Sequence, residues 1–208
     1  RVKEALAYGS GALGTAVTGS MFLFFFSYYL TDVVGLAPIA VMVLQLLRNS
    51  WNAVTDPVVG MVTDRTRSRF GRRKPFIALG LIPFGLFFAA LWQVPRGLSP
   101  TATVLVLAVI VVRYDAASSM VSVPYSALTP AMTESYDERT RLNGFRQGFS
   151  MLWGLLVGGT VEAALVSFGS PARGFGHVSW IFAAVAVGAF VPVLLFAKER
   201  HAAPPGAA

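Results

Sequence analysis

Six blocks of mostly apolar residues, each near the length of a bilayer-crossing helix, constrain this chain more than anything else in it. They cover residues 11–30, 38–62, 75–91, 102–127, 144–167 and 178–197. A helix needs about 20 such residues to cross the hydrocarbon core, where backbone groups must be satisfied within the chain. Soluble helices of this length show a polar face on every turn, and these blocks do not. Composition agrees. Hydrophobic residues make up 55% of the chain, charged residues 13%, and the mean hydropathy is +0.62, which leaves too little polar surface to coat a water-facing globule. The blocks predict an all-α membrane protein with six transmembrane helices over residues 1–200 and a disordered Pro/Ala/Gly-rich tail over 201–208.

The net charge of +7 does not point to nucleic acid, because the basic residues sit in short clusters between apolar blocks. Twelve of them lie on one set of ends and loops: Arg1, Lys3, Arg65, Arg67, Arg69, Arg72, Arg73, Lys74, Arg139, Arg141, Lys198 and Arg200. The opposite loops carry two, Arg96 and Arg173. By the positive-inside rule both termini face the cytoplasm, across the cell's inner (plasma) membrane. The chain starts at Arg1 with no signal-peptide pattern, which reads as an incomplete N-terminus. It has no cysteine, and its two histidines, His177 and His201, stand in a loop and in the tail without metal-ligand spacing. No nucleophile–base motif is present, so an enzyme is not expected, nor is a cofactor.

Ionisable residues inside apolar blocks are expensive in lipid and are functional candidates for that reason. The second block holds Arg48, Asn49, Asn52 and Asp56; the fourth holds Arg113, Asp115 and Ser122; the fifth holds Arg146 and Glu162. Arg48, Asn52 and Asp56 are four apart and form one stripe, which should face the bundle interior. Pro57 frees the carbonyl four residues earlier, and a carboxylate beside freed backbone oxygens suits sodium or a transferable proton. Asp115 and Ser122, seven apart, share a face. The alternative is that these charges pair with each other and only fix the helix register. Gly9, Gly11 and Gly14 in the first block and Gly154, Gly158 and Gly159 in the fifth suit close helix packing.

The stretch from Gly60 to Pro75 carries an ordered run of Gly60, Asp64, Arg65, Gly71, Arg72, Arg73 and Lys74. Asp64 would sit at a helix C-terminus, where a negative charge is unfavourable unless paired. A pairing with Arg72 or Arg73 that forms in one conformer and breaks in another would make a latch closing the cytoplasmic side, with a coupling of about 1–3 kcal/mol. A plain positive-inside signal would not need this order of residues.

This loop resembles the one between helices two and three of the major facilitator superfamily. The segments Tyr8-Gly9-Ser10-Gly11, Tyr29-Leu30-Thr31-Asp32, Trp51-Asn52-Ala53-Val54-Thr55-Asp56-Pro57, Pro124-Tyr125-Ser126-Ala127-Leu128 and Asp137-Glu138-Arg139-Thr140-Arg141 resemble the glycoside–pentoside–hexuronide:cation symporters, in the same order. The resemblance implies one six-helix half of a major-facilitator fold, moving a small organic solute, a sugar or glycoside, with a coupling cation by alternating access. It also implies a second half, in the same polypeptide if this chain is a fragment or from a second copy if not. Asp56 matches one of the family's two cation-site acids on this helix, while the other position is Asn52. The position of a sugar-contacting acid falls on Ala16, and that of an acid shared by sugar and cation on Ser122. The family's arginine early in span five is kept as Arg146. With Asp115 and Arg48 added from the intramembrane reading, the expected cation-coupling set is Asp56, Asn52, Ser122 and Asp115. The expected substrate set is Arg146, Ala16, Ser122 and Arg48. Three acids are replaced, so the coupling ion is expected to be a proton, with sodium at Asp56 as the alternative. Lysolipid transport, or a scaffold with a degenerate site, are the other readings of the resemblance.

Overall fold

Prolines set the helix starts. Pro38 opens α2 (Pro38–Arg65), Pro75 lies in the first turn of α3 (Lys74–Leu91), Pro100 opens α4 (Pro100–Met132) and Pro171 opens α6 (Pro171–Phe196). At N1 the missing N–H is not needed and the fixed φ is already helical. The computed structural model adds α1 (Val2–Tyr28), continued by a π-helical turn at Tyr29–Val33, and α5 (Tyr136–Ser167). It describes residues 2–66, 68, 71–95, 97–132 and 136–196, with the side chains of 2–7, 129–132, 136–139, 141–142, 145–146 and 149 outside that description. The tail 201–208 also lies outside it. The helices run past the apolar blocks at several ends: α5 starts at Tyr136 and α6 at Pro171. Helices continue into the interface beyond the hydrocarbon core, where composition no longer marks them.

Five segments are long and apolar enough to cross a membrane: Tyr8–Val33, Lys74–Leu91, Pro100–Leu128, Ser150–Ser167 and Pro171–Phe196. α2 has 28 residues, and its polar stripe keeps it out of that set. α1 packs against α5 and α6, α4 against α2 and α3, and α3 also against α6. At one end an aromatic core joins α1, α3, α4 and α6. Phe22 and Tyr114 stack at 5.0 Å between ring centres, and Trp92 and Phe175 at 5.4 Å. At the other end Tyr8 stacks on Tyr125 at 4.8 Å, and the Tyr125 hydroxyl donates to the Tyr8 carbonyl at 2.6 Å. Such rings supply dispersion and area that lipid-exposed helices cannot gain from hydrophobicity alone.

Close approach depends on glycine at α1. A Cβ on Gly14 would lie 2.7 Å from the Ala186 carbonyl oxygen, and one on Gly11 2.6 Å from the Tyr125 ring. Gly154 meets Ser20 Oγ at 3.2 Å, whereas Gly158 and Gly159, expected to pack closely, would meet nothing within 4 Å among the described residues. Gly14→Ala should therefore destabilise the bundle by about 1–3 kcal/mol, because a backbone carbonyl cannot yield as a side chain can. Gly19→Ala, with nothing within 4 Å of its Cβ, should be stabilising by roughly 0.5–1 kcal/mol through helix propensity. Thermal unfolding in detergent compares the two; equal melting temperatures would mean that α1 and α6 are not packed this closely.

Candidate functional site

The polar stripe of α2 meets α4. Arg48 Nε donates to Asp115 Oδ1 at 3.1 Å. The Asp115 side chain is fully buried and that of Arg48 is 29% exposed. The Arg48 guanidinium also lies 4.1 Å from the centre of the Phe22 ring on α1, a favourable cation–π contact. One turn further, Ser119 Oγ donates to Asp56 Oδ1 and lies 3.2 Å from Thr55 Oγ1. Thr55 Oγ1 in turn donates to the Trp51 carbonyl at 3.0 Å. Asp115 and Ser119 are four apart on α4, as Arg48, Asn52 and Asp56 are on α2, so the two stripes run side by side. The second Asp115 oxygen, Oδ2, is buried and makes no hydrogen bond among the described residues. Buried carboxylate oxygens are normally satisfied, and the Asn52 amide on the α2 stripe is the side chain in reach of this carboxylate besides Arg48.

The expected residues divide. Arg48, Asp56 and Asp115 lie at this one interface, but Asp56, expected to face the interior, is exposed. Asn52 is half-buried on the same stripe, between Arg48 and Asp56. Ser122 is half-buried with no hydrogen bond among the described residues, and Ala16 is half-buried on α1. The side chain of Arg146 lies outside the described residues. Arg113, grouped with the interior charges from sequence, is exposed and has no ion-pair partner among the described residues. It stands two positions from Asp115, roughly 200° around the helix, so a buried Asp115 turns Arg113 outward. Glu162 is exposed as well. Two hydroxyls, Ser119 and Thr55, were not picked out, although the Asp115-to-Ser119 spacing of four was readable.

In the α2–α3 loop, Gly71 adopts φ +98°, a conformation that side-chain-bearing residues avoid. Gly60 lies inside α2, and a Cβ there would make an ordinary contact with Val123 at 3.8 Å. Arg73 Nη2 is 3.9 Å from Asp64 Oδ1, and Asp64 is 67% exposed. Arg65 is exposed, and Arg72 is half-buried and engaged. Lys74 Nζ donates to the Leu194 carbonyl at 2.8 Å, placing a cation on the last turn of α6, where the helix dipole favours it. An ion pair this exposed contributes about 0–1 kcal/mol, less than the coupling expected of the latch. Asp64→Asn should change the melting temperature little and shift the conformational equilibrium by no more than about 1 kcal/mol. Accessibility of a cysteine in the α2–α3 loop is the measurement; a tenfold or larger change would mean that Asp64 has a stronger partner in the other conformer.

The chain matches the MFS/sugar transport protein family over residues 7–207. It is 33% identical to an uncharacterized symporter of Synechocystis sp. over 96% of this chain and 38% of that protein. It is 32% identical to the sodium-dependent lysophosphatidylcholine symporter 1-B of Danio rerio, over 79% of this chain and 31% of that protein. Identity to the isoprimeverose transporter of Lactiplantibacillus pentosus is 28%, over 95% of this chain and 42% of that protein. The chain thus spans less than half the length of these relatives.

Proposed function

The chain belongs to the MFS/sugar transport protein family, a multi-pass membrane transporter family, and on that premise we propose that it forms the first six-helix half of a cation-coupled symporter for a sugar or glycoside. The observation that carries this reading is the contact between the stripes of α2 and α4. Two hydroxyl protons, on Ser119 and Thr55, serve three oxygen contacts among Asp56, Ser119, Thr55 and the Trp51 carbonyl. A proton on Asp56, or a hard cation among these oxygens, relieves the shortage. Loading the site would then change how α2 packs on α4, and that movement is what alternating access requires. Asp56 and Asp115 are the proposed coupling acids, with Asn52 and Ser122 beside them. Arg146, Ala16, Ser122 and Arg48 are proposed to face the solute. A second six-helix half, in the same polypeptide, supplies the other wall. Asp64, Arg65, Arg72, Arg73, Gly60 and Gly71 form the proposed cytoplasmic latch, to which the exposed Asp64–Arg73 pair contributes no more than about 1 kcal/mol. The test is counterflow of labelled mono- and disaccharides by the complete gene product in proteoliposomes; no exchange of any of them would overturn the sugar reading.

In this reading α2 also crosses the bilayer, its polar stripe partly covered by α4 with Asp56 still exposed, so six helices cross and both termini are cytoplasmic. Arg67→Cys should be protected from an impermeant external thiol reagent in sealed cells, and Arg173→Cys should be labelled. The reverse pattern would invert the orientation.

One observation favours an amphiphilic solute as a second reading. A groove of about 700 Å³ between α1 and α5 is lined by Leu23, Phe24, Met151 and Leu155 beside Gly154 and Gly158, which suits an acyl chain. Competition of a lysolipid with sugar counterflow separates the two solutes.

A further inference from the structure

A second polar feature flanks Arg48 on α2, where α2 meets α1. A cleft of about 390 Å³ opens between α1 and α2, lined by Phe22, Leu23, Phe26 and Ser27 on one side and by Gln45, Arg48 and Asn49 on the other. Its volume falls in the range of roughly 300–1,000 Å³ typical of small-molecule sites. Gln45 Nε2 donates to Ser27 Oγ at 3.0 Å, which orients the amide and leaves its carbonyl and second N–H without a partner among the described residues. Asn49 is exposed and makes no hydrogen bond among the described residues. Arg48 is held at Nε by Asp115 and against Phe22, so its terminal nitrogens are fixed in place at the end of the cleft. Gln45, Arg48 and Asn49 share one face of α2 at spacings of three and four. Phe22 and Phe26, both nearly buried, close the bottom.

Two planar amides, a hydroxyl and a pre-oriented guanidinium, on two helices that both cross the bilayer in the reading above, would be costly against lipid. They offer alternating donors and acceptors and no free carboxylate. That pattern matches a neutral, hydroxyl-rich solute better than a cation, which needs anionic oxygens, or an acyl chain, which needs apolar walls. We propose that this cleft is a recognition subsite for a hydroxylated ring of the transported solute, with Gln45 and Asn49 as specificity-determining residues. The proposal rests on the sugar reading above and adds to it a place for a ring on α1 and α2. Because Arg48 spans the cleft and the α2–α4 contact, a ring bound here would touch the same side chain that Asp115 holds.

The test uses the complete gene product in proteoliposomes, with counterflow of xylose, glucose, galactose and their disaccharides, comparing wild type with Asn49→Ala, Asn49→Leu and Gln45→Leu. Asn49 is exposed and makes no hydrogen bond among the described residues, so its variants should keep the wild-type melting temperature. The expected result is a tenfold or larger rise in KM for the best sugar in all three, with the maximal rate within about twofold, and a changed rank order among the sugars. Unchanged KM in the Asn49 variants, with a sugar still carried by wild type, overturns the subsite alone. A Gln45→Leu effect confined to melting temperature does the same, since it would leave the Ser27 contact as helix glue. A wild type that carries none of the sugars overturns the sugar reading and this subsite with it.

Discussion

Asp56→Asn should abolish accumulation of solute against its gradient while leaving downhill exchange in place. The coupling between two ligands of one transporter is typically worth about 1–3 kcal/mol, or roughly 5–150-fold in affinity, and the variant should lose that cation dependence. The reason lies in the hydrogen bonds of Asp56. Ser119 donates to it, and Thr55 adds a second oxygen on the same side. An amide at position 56 could still accept from Ser119, so the fold survives, but it can neither take up a proton nor balance a metal ion. Asn52 lies one turn away on the same stripe, and Asn52→Asp should introduce or strengthen sodium dependence by adding a second anionic oxygen donor. Measuring uptake under imposed sodium and proton gradients checks both variants. Concentrative uptake by Asp56→Asn would remove Asp56 from the coupling mechanism.

The second large effect is on stability. Arg48→Ala leaves the fully buried Asp115 carboxylate without its cation. Breaking a buried pair from one side costs about 3–5 kcal/mol, and the partial exposure of Arg48 places this case near the low end. The double variant Arg48→Met, Asp115→Leu removes both charges and should recover most of the loss, since two apolar groups of similar volume need no pairing. Melting temperatures of wild type, Arg48→Met, Asp115→Leu and the double variant form a double-mutant cycle. Additive losses would mean that Arg48 and Asp115 do not interact. A stable but transport-inactive double variant would show that the pair serves function as well as register.

Much of the helix arrangement was readable from the chain because apolar block length and proline position act locally. Pro38 and Pro75 fall at the expected span starts and Pro100 two residues before one, whereas Pro171 opens α6 seven residues before the expected 178. The π-helical turn at Tyr29–Val33 was not readable, since nothing in Tyr-Leu-Thr-Asp-Val distinguishes it from ordinary helix. It depends on where the Val34 and Leu36 N–H groups find carbonyls, at Tyr29 and Leu30. The α2 stripe of Arg48, Asn52 and Asp56 was legible from spacing alone, because a period near four places residues on one face whatever the neighbours are. Its partners were not. Ser119 and Thr55 are short side chains whose contacts depend on the rotation and register of α2 against α4, which no local pattern encodes. The Gln45–Ser27 contact joins residues on two helices and was equally silent. Arg113 is separable from Asp115 by its half-turn offset, which puts the two on opposite faces of α4. Gly158 and Gly159 show the opposite limit: small residues permit close packing, but among the described residues nothing approaches them.

In the proposed mechanism α2 and α4 couple a cation to the movement of a sugar or glycoside. Gradient-driven uptake tests it most directly: the complete gene product in proteoliposomes, a labelled sugar at equal concentration on both sides, and an imposed inward sodium or proton gradient. Internal sugar should rise above the external level with one of the two gradients, and fall back to equality when that gradient is collapsed. Sugar that equilibrates at the same final level with either gradient or with none would contradict that mechanism.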